Sequence, residues 1–416
     1  MKMPTGPQFE DRYRTIDEDR ILEAIMLLGW TFSEPSDTIR LAARQALDRW
    51  IQQGLGVRIT QGGQRLFDPV EVVFHLKNAG RLGHDDFWAR HYVTTSRRLV
   101  QELPTHPPGR ITVSMNRRFS LRAVTPGRTL RLRMPLPLAE RCHDLDIQPF
   151  TTHDGGTCIV TDGRMERHIR AGDTDHAWLG ARISFVPAEA ASDDSVTDPA
   201  LYLKSGEGLI RITDRISSLS RRLAGNQSPR LAVLTFWNFI LDTFLSGPVH
   251  YDQIPADTPL DWVLDNGCCD CHLASSFLVA LCRARGIPAR LVSGNFLYPH
   301  SPTMHYWAEV RMDDSGWRPF DFMSWDLSCG GQEIDWRQYF FGRIDARIIS
   351  QCLPRSCTGP VGISIPPDWR VIQTAEEGGV KIDLVAGDGC SLHTDHITVE
   401  TTENAKKETP VYSMAK

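Results

Sequence analysis

The segment 267–292 constrains the fold most strongly, because it joins a long apolar helix directly to a strand. From Cys271 to Arg285, apolar residues recur at the three- and four-residue spacing of a helix face. Asp270 suits the N-cap position, because its side chain can accept a hydrogen bond from the first turn. Gly286 suits the position just past the last turn, and Pro288 stops the helix beyond it. The pattern therefore predicts a helix that begins at Cys271.

Three short segments after this helix have the composition of strands: 289–297, 304–312 and 317–323. The polar residues 313–316 predict a tight turn between the second and third segments. A hairpin there would bring His305, at the start of one strand, close to Asp321 on the next. We expect an α+β core in which the helix packs on an antiparallel sheet.

Cys271, His305 and Asp321 have the chemistry of a nucleophile, its base and the residue that orients the base. A helix N-terminus favours negative charge and is one of the environments that lower the pKa of a thiol. Its backbone amides can also donate to an oxyanion during acyl transfer. A histidine can take up a proton and return it, and a carboxylate fixes its tautomer. Asp270 would oppose a thiolate, so we expect its side chain to be occupied in capping.

Three motifs in this order and spacing carry a family resemblance: GCCDCHLASSFLVALCRARGIPARLVSG, HYWAEV and GWRPFD. Together they resemble the core domain of the transglutaminase-like superfamily, whose fold is related to that of papain-like proteases. The resemblance covers about a quarter of the chain. Aligning the sequence on 286–290 places the family's nucleophile on Cys271, its histidine on His305 and its aspartate on Asp321. Cys269 stands where the family usually has glycine.

The resemblance implies an enzyme that makes or breaks amide bonds through an acyl-cysteine intermediate. Its substrate would be a peptide, a protein or an acyl group bound to a carrier protein. Related enzymes place oxyanion helpers upstream of the nucleophile, where this chain has Tyr251 and Trp262. His300, in a loop flanked by prolines, is a further candidate for substrate contact.

Other residues compete for these roles. His272 and His300 are alternatives to His305, but a residue directly after the nucleophile points away from it on a helix. Asp326 is an alternative to Asp321, although it lies beyond the predicted strand.

Cys268 and Cys271 form a C-x-x-C pattern that could be a redox pair or half of a zinc site. A structural zinc site needs four ligands, and no matching second pair is evident, so we expect neither a metal nor a cofactor. Cys268 and Cys269 are expected to pack in the core or line the site. Trp307 and Trp317 are expected in the core, and Arg290 and Glu309 are expected to form an ion pair.

Segments outside the three motifs have helix and strand patterns of their own. Helices are predicted over 21–30, 37–54 and 68–80, and a further helix is predicted to begin near residue 230 and to end near Gly247. Separate short strands are predicted over 110–115, 119–124 and 129–136, and residues 251–266 are expected to be rich in loop.

We divide the sequence into a helical N-terminal domain (1–105), a β-rich domain (106–225), a transglutaminase-like core (226–350) and a β-rich C-terminal segment with a disordered tail (351–416). The chain has 46 Lys and Arg against 51 Asp and Glu, a net charge of −5. This balance predicts no affinity for nucleic acid or an anionic membrane. Without a secretory signal or an apolar span, we expect a cytoplasmic protein. The oligomeric state is not indicated.

Three functional hypotheses follow. The first is acyl transfer from an amide or a carrier-bound thioester to Cys271 and then to an amine. The second is a cysteine peptidase or amidase that uses water as the acceptor. The third is a non-catalytic binding or scaffold protein that retains this core.

Overall fold

The computed structural model describes residues 16–19, 21–22, 37–81, 87–102, 108–121, 126–127, 129–150, 158–161, 163–172, 174–188, 199–205, 208–247, 249, 253–255, 257–298, 304–312, 316–328, 335–353, 374–377, 380–383 and 393–404. In chain order the helices are α1 (Asp37–Gln52), α2 (Pro69–Arg81), α3 (Phe87–Glu102), α4 (Asp214–Ala224), α5 (Pro229–Thr243), α6 (Pro259–Asn266), α7 (Cys271–Ala284), α8 (Ser324–Leu327) and α9 (Trp336–Tyr339). The strands of the N-terminal and β-rich regions are β1 (Ile16–Asp17), β2 (Arg58–Ile59), β3 (Arg65–Phe67), β4 (Pro108–Ser120), β5 (Thr129–Pro135), β6 (Cys142–Pro149), β7 (Ile159–Thr161), β8 (Arg164–Arg170) and β9 (His176–Pro187). The remaining strands are β10 (Leu245–Ser246), β11 (Cys268–Cys269), β12 (Ala289–Phe296), β13 (Met304–Val310), β14 (Arg318–Phe320), β15 (Arg347–Cys352), β16 (Thr374–Glu377), β17 (Val380–Asp383) and β18 (His393–Asn404).

The core domain consists of α4–α9 and the antiparallel sheet with strand order β14-β13-β12-β15. Helix α7 is buried over its residues 272–283, which belong largely to one hydrophobic cluster with α4, α5 and α6. A helix that is apolar on nearly every side must be covered on every side. The predicted α+β arrangement, a helix packed on an antiparallel sheet, is confirmed.

The strand register brings the candidate residues together. On β13, His305 pairs with Gly294 of β12, and β13 also pairs with β14, which ends at Phe320. Asp321 therefore follows directly after the strand beside His305. On the other side of β12, Phe296 pairs with Arg347 of β15.

Two segments of the core domain differ from the sequence prediction. We expected the helix before β10 to reach Gly247, but α5 ends at Thr243 because Leu245 and Ser246 pair in parallel with Cys268 and Cys269. The stretch before Gly267 was expected to be loop, yet it contains α6. Proline suits the first turn of that helix, and Gly267 ends it in a left-handed conformation with φ of 69°.

The core domain begins upstream of residue 226. Helix α4 contributes Ile216 and Leu219 to the core cluster, and Ser220 Oγ donates a 2.9 Å hydrogen bond to Leu281 O of α7. Residues that the sequence grouped with the β-rich domain therefore pack on the helix that carries Cys271.

The β-rich part forms two sheets, with strand orders β18-β4-β9-β6 and β17-β16-β5-β8-β7. Strand β4 continues through segments that we expected to be separate strands, because residues 111–120 pair without interruption with 176–185 of β9. Strands from the C-terminal segment join both sheets. The expected disordered tail, beyond residue 404, lies outside the described residues.

The N-terminal part contains α1, α2 and α3 and a small sheet of β1, β3 and β2. Of the helix expected at 21–30, only 21–22 lie within the described residues, and both are helical. Helix α2 contacts the core domain beside β10. A Cβ atom on Gly247 would lie 2.1 Å from Phe74 Cδ2, so only glycine permits this close approach. Within the described ranges, no helix is both long enough and apolar enough to cross a lipid bilayer.

A buried ion network joins the β-rich part to the core sheet. The expected pair is present: Arg290 Nε and Nη2 lie 2.8 and 2.7 Å from Glu309 Oε2. Arg141, from a short 3₁₀ helix, binds the same carboxylate through both terminal nitrogens. Burial disfavours the charge of Glu309, but the two guanidinium groups outweigh this effect and lower its pKa to about 2. Trp307 and Trp317 are both buried, as expected.

We predict that Glu309→Gln lowers the free energy of unfolding by about 3–5 kcal/mol, because it leaves two buried guanidinium groups without their carboxylate. The folded-state pKa of Glu309 lies below its unfolded value. Its contribution is therefore complete above about pH 4.5 and is lost as the pH falls towards 2. Urea denaturation at several pH values should show a flatter acid dependence for the variant.

Asp265→Asn is the control, because Asp265 forms an exposed ion pair with Arg215. We expect the Asp265→Asn substitution to lower the free energy of unfolding by less than about 1 kcal/mol. If Glu309→Gln and Asp265→Asn lowered the free energy of unfolding equally, a structural role for the buried network would be contradicted.

Candidate active site

Cys271 is the first residue of α7 and is partly accessible at the bottom of a cleft. Asp270 is the N-cap, and its Oδ1 accepts a 2.9 Å hydrogen bond from Leu273 N. The predicted cap is confirmed, and this carboxylate is occupied in capping. The backbone N–H of Cys271 is at the first helical position, where the helix itself provides no acceptor. An acceptor for this N–H must therefore come from outside the helix.

His305 and Asp321 are in direct contact. His305 Nε2 lies 2.7 Å from Asp321 Oδ1, which also accepts a 2.8 Å hydrogen bond from Met323 N. Asp321 is fully buried. With Nε2 bound to the carboxylate, Nδ1 is the ring nitrogen left for the thiol of Cys271.

The charges of this pair support each other. Burial opposes the imidazolium form of His305, but the Asp321 carboxylate and the Cys271 sulfur outweigh it and raise the pKa of His305 to about 10. Burial also opposes ionisation of Asp321, but Arg347 and then His305 hold the pKa of this carboxyl far below its usual range. The site is therefore arranged for a charged histidine beside a sulfur nucleophile.

Cys271 and His305 share a cavity of about 250 Å³. The core domain provides most of its wall through apolar side chains, namely Phe296, Phe322, Met323 and Trp325. The N-terminal helices provide the rest through Val73, Lys77 and Tyr92. A substrate bound in this cavity would contact both parts of the chain.

Asp326 lies at the boundary between these two walls. Its Oδ1 is 3.0 Å from Lys77 Nζ and accepts a 2.7 Å hydrogen bond from Tyr92 OH. Within the described residues, the carboxylate that contacts His305 is that of Asp321, and Asp326 binds the N-terminal helices instead. The structure thus places the two rival aspartates in different roles.

His272, the rival histidine on α7, does not line the cleft. The His272 ring stacks on Tyr306 at a centroid distance of 4.2 Å, and burial lowers its pKa to about 3. Cys268 and Cys269 are buried in the core cluster, and burial, with a smaller effect of Asp270, raises the pKa of Cys268 to about 12.

Of the three candidate substrate contacts, the structure describes one, Trp262, and its side chain does not line the cleft. Trp262 packs against the core cluster from α6. Tyr251 and His300 lie outside the described residues. Among the described residues, no group of His, Cys, Asp and Glu side chains is arranged to hold a metal ion.

Three residues near the site had no signal in the sequence. Lys77 and Tyr92 come from a part of the chain that no motif connects to Cys271. Arg347 binds Asp321 from β15, which follows the last motif. An arginine at the start of the strand segment RIISQC is compatible with a buried ion pair, but the sequence does not indicate its partner.

The family comparison covers this same region. The family model described as the transglutaminase-like superfamily matches residues 217–322, a range that contains Cys271, His305 and Asp321. The core domain belongs to the transglutaminase-like superfamily. A transglutaminase-like domain has the fold of cysteine-dependent enzymes, so the fold supports an enzyme.

Solved structures with some similarity include a proposed cysteine protease from Cytophaga hutchinsonii, at 12% identity and a TM-score of 0.41, covering 74% of this chain and 94% of that one. The periplasmic domain of TgpA from Pseudomonas aeruginosa is similar at 18% identity and a TM-score of 0.30, covering 58% and 96%. Both scores are too low to carry an argument about function. No curated protein matches the sequence.

We predict that Asp321→Asn slows alkylation of Cys271 by iodoacetamide at pH 6.5 by about tenfold, because a buried imidazole that loses its carboxylate no longer stays charged beside the sulfur. Asp326→Asn, the matched control across the cleft, should change the rate by less than about twofold. Mass spectrometry of the Cys271 peptide measures both rates. The reverse order of effects would make Asp326 the orienting carboxylate.

Proposed function

We propose that this protein is a cysteine-dependent acyltransferase that forms or exchanges an amide bond, with an amine as acceptor. The donor is an amide or a carrier-bound thioester, so the substrate is a peptide, a protein or an acyl-carrier conjugate. The proposal rests on one observation: Cys271 and His305 line the same cavity, and the buried Asp321 contacts His305 from behind.

In the first half-reaction, the Cys271 thiolate attacks the carbonyl carbon of the donor. The electron pair of the C=O double bond moves to oxygen, and the backbone N–H of Cys271 donates to this oxyanion. The carbonyl then re-forms, the bond to the leaving group breaks, and His305 gives its proton to the leaving amine or thiol. The product is an acyl-Cys271 thioester and a neutral imidazole.

In the second half-reaction, His305 takes a proton from the incoming amine as its nitrogen attacks the thioester. The C–S bond breaks, the electron pair returns to the sulfur, and the imidazolium is restored beside it. Asp321 stabilises the charged imidazole before the first step and after the second.

The lining of the cavity favours an amine over water. Phe296, Phe322, Met323 and Trp325 present apolar surface around the sulfur, and such surface excludes water from the acyl-enzyme.

The test is incubation of the protein with acyl N-acetylcysteamine thioesters and with glutamine-containing peptides, followed by mass spectrometry. We expect an acyl adduct on Cys271 that disappears when a primary alkylamine is added, with the amide as the product. Cys271→Ala should give no adduct. Cys142→Ala removes another half-buried cysteine and should behave as the wild type.

Two outcomes would contradict the proposal. Release of free acid alone, even with excess amine, would make the protein a cysteine peptidase or amidase. Absence of an adduct with both donors, together with ordinary reactivity of Cys271, would favour a binding or scaffold role.

A further inference from the structure

Arg347 occupies a fixed position behind the candidate catalytic residues. Its side chain has no solvent exposure, and its Nη2 lies 2.5 Å from Asp321 Oδ2 and 2.8 Å from Asp345 Oδ1. Its Nε donates a second hydrogen bond to Asp345 Oδ1, at 3.2 Å. The guanidinium thus binds the Asp321 oxygen that His305 does not use.

Two aromatic rings lie within cation–π distance of this guanidinium. Its central carbon lies 4.7 Å from the centre of the Phe296 ring and 5.0 Å from that of Trp307. Phe296 also stacks on His305 at 4.4 Å. Arg347 therefore contacts two residues that themselves contact His305: the carboxylate of Asp321 and the ring of Phe296.

The proposed reaction creates a need for such a group. A buried carboxylate is stable only beside a counter-charge. His305 provides one while it is protonated, but it becomes neutral when it gives its proton to the leaving group. Asp321 would then be buried beside a neutral ring and would tend to take up the proton itself. An arginine cannot be deprotonated in a protein, so its charge persists through every step.

We propose that Arg347 is a positioning residue for the triad, which holds the Asp321 carboxylate charged and oriented during the step in which His305 is neutral. The row from Asp345 through Arg347, Asp321 and His305 to Cys271 then alternates in charge. This inference rests on the proposed function, because it needs a proton that leaves His305.

The pKa directions agree with this geometry. Against the effect of burial, Arg347 is the largest cause that lowers the pKa of Asp321, ahead of His305. Burial lowers the pKa of Arg347, but Asp321 and Asp345 outweigh it and raise the value. The charged and titratable groups that face the row are, besides its own members, Tyr298 from the end of β12 and, around the cavity, Asp270, Lys77, Tyr92 and Asp326.

The experiment measures the rate of Cys271 alkylation by iodoacetamide from pH 4 to 10 in the wild type and in Arg347→Gln. Glutamine keeps hydrogen-bond donors but removes the positive charge. We expect the midpoint of the pH profile to rise by about one unit, which slows alkylation about tenfold at pH 6.5, because the loss of a buried cation disfavours the thiolate. Asp321→Asn should give a similar shift, since both changes affect the same carboxylate.

Arg290→Gln is the matched control. Arg290 is equally buried on the same sheet and stacks on Trp317, but its partner Glu309 is about 13 Å along β13 from His305. The Arg290→Gln variant should be less stable than the wild type, but the midpoint of its pH profile should be unchanged. Arg347→Lys retains the charge without the two-pronged contact, so its midpoint should lie between those of the wild type and Arg347→Gln.

The inference would be overturned if a folded Arg347 variant had the same pH-profile midpoint as the wild type. It would also be overturned if Arg290→Gln shifted the midpoint as much as the Arg347 variant. If Arg347→Gln does not fold, Arg347→Lys supplies the same comparison. Failure of the proposed function gives different results: in a non-catalytic protein, wild-type Cys271 would react no faster than the other accessible cysteines, and in a hydrolase the acyl adduct would yield only free acid while the shift in Arg347→Gln would persist.

Discussion

Strands β12 and β15 are in close main-chain contact at Gly294. A Cβ atom there would lie 1.7 Å from the carbonyl oxygen of Ile348, so β12 and β15 can pack in this register only because the residue is glycine. Gly294 pairs with His305 on one side, and Phe296, two residues further, pairs with Arg347 on the other. The contacts between Asp321, His305, Phe296 and Arg347 all depend on this register. The positions of these side chains therefore depend on how the main chains of the sheet pack.

The same sheet carries two buried ion networks with different consequences. At the end near Val310, one carboxylate is bound by two arginines, and none of the three groups lines the cavity that Cys271 and His305 share. That network joins the β-rich part to the core domain. At the opposite end, the row from Asp345 to His305 leads to a cavity and ends beside a thiol. A buried charge costs free energy in both places, but of these two networks only the second contains a group, His305, that gives up and takes back a proton in the proposed reaction.

Local patterns predicted the parts of the site that are local. The N-cap at Asp270, the start of α7 at Cys271 and the strands around His305 each follow from a few neighbouring residues and were predicted correctly. The end of α5 was not, because a two-residue pairing of Leu245 and Ser246 with β11 interrupts an apolar run. Arg347 was missed for a different reason. Its role depends on which strand lies beside β12, and strand order is a property of the whole sheet.

The cavity combines residues that the chain encodes far apart. Cys271, His305 and Asp321 lie within the family-matched range 217–322, whereas Val73, Lys77 and Tyr92 belong to helices α2 and α3 outside it. Mutations in the two helices can therefore alter which molecules fit without disturbing the groups that react. In such an arrangement, different segments of the chain determine selectivity and reactivity. Related chains could keep one chemistry while diverging in what they accept, simply by exchanging the segment that precedes the β-rich part.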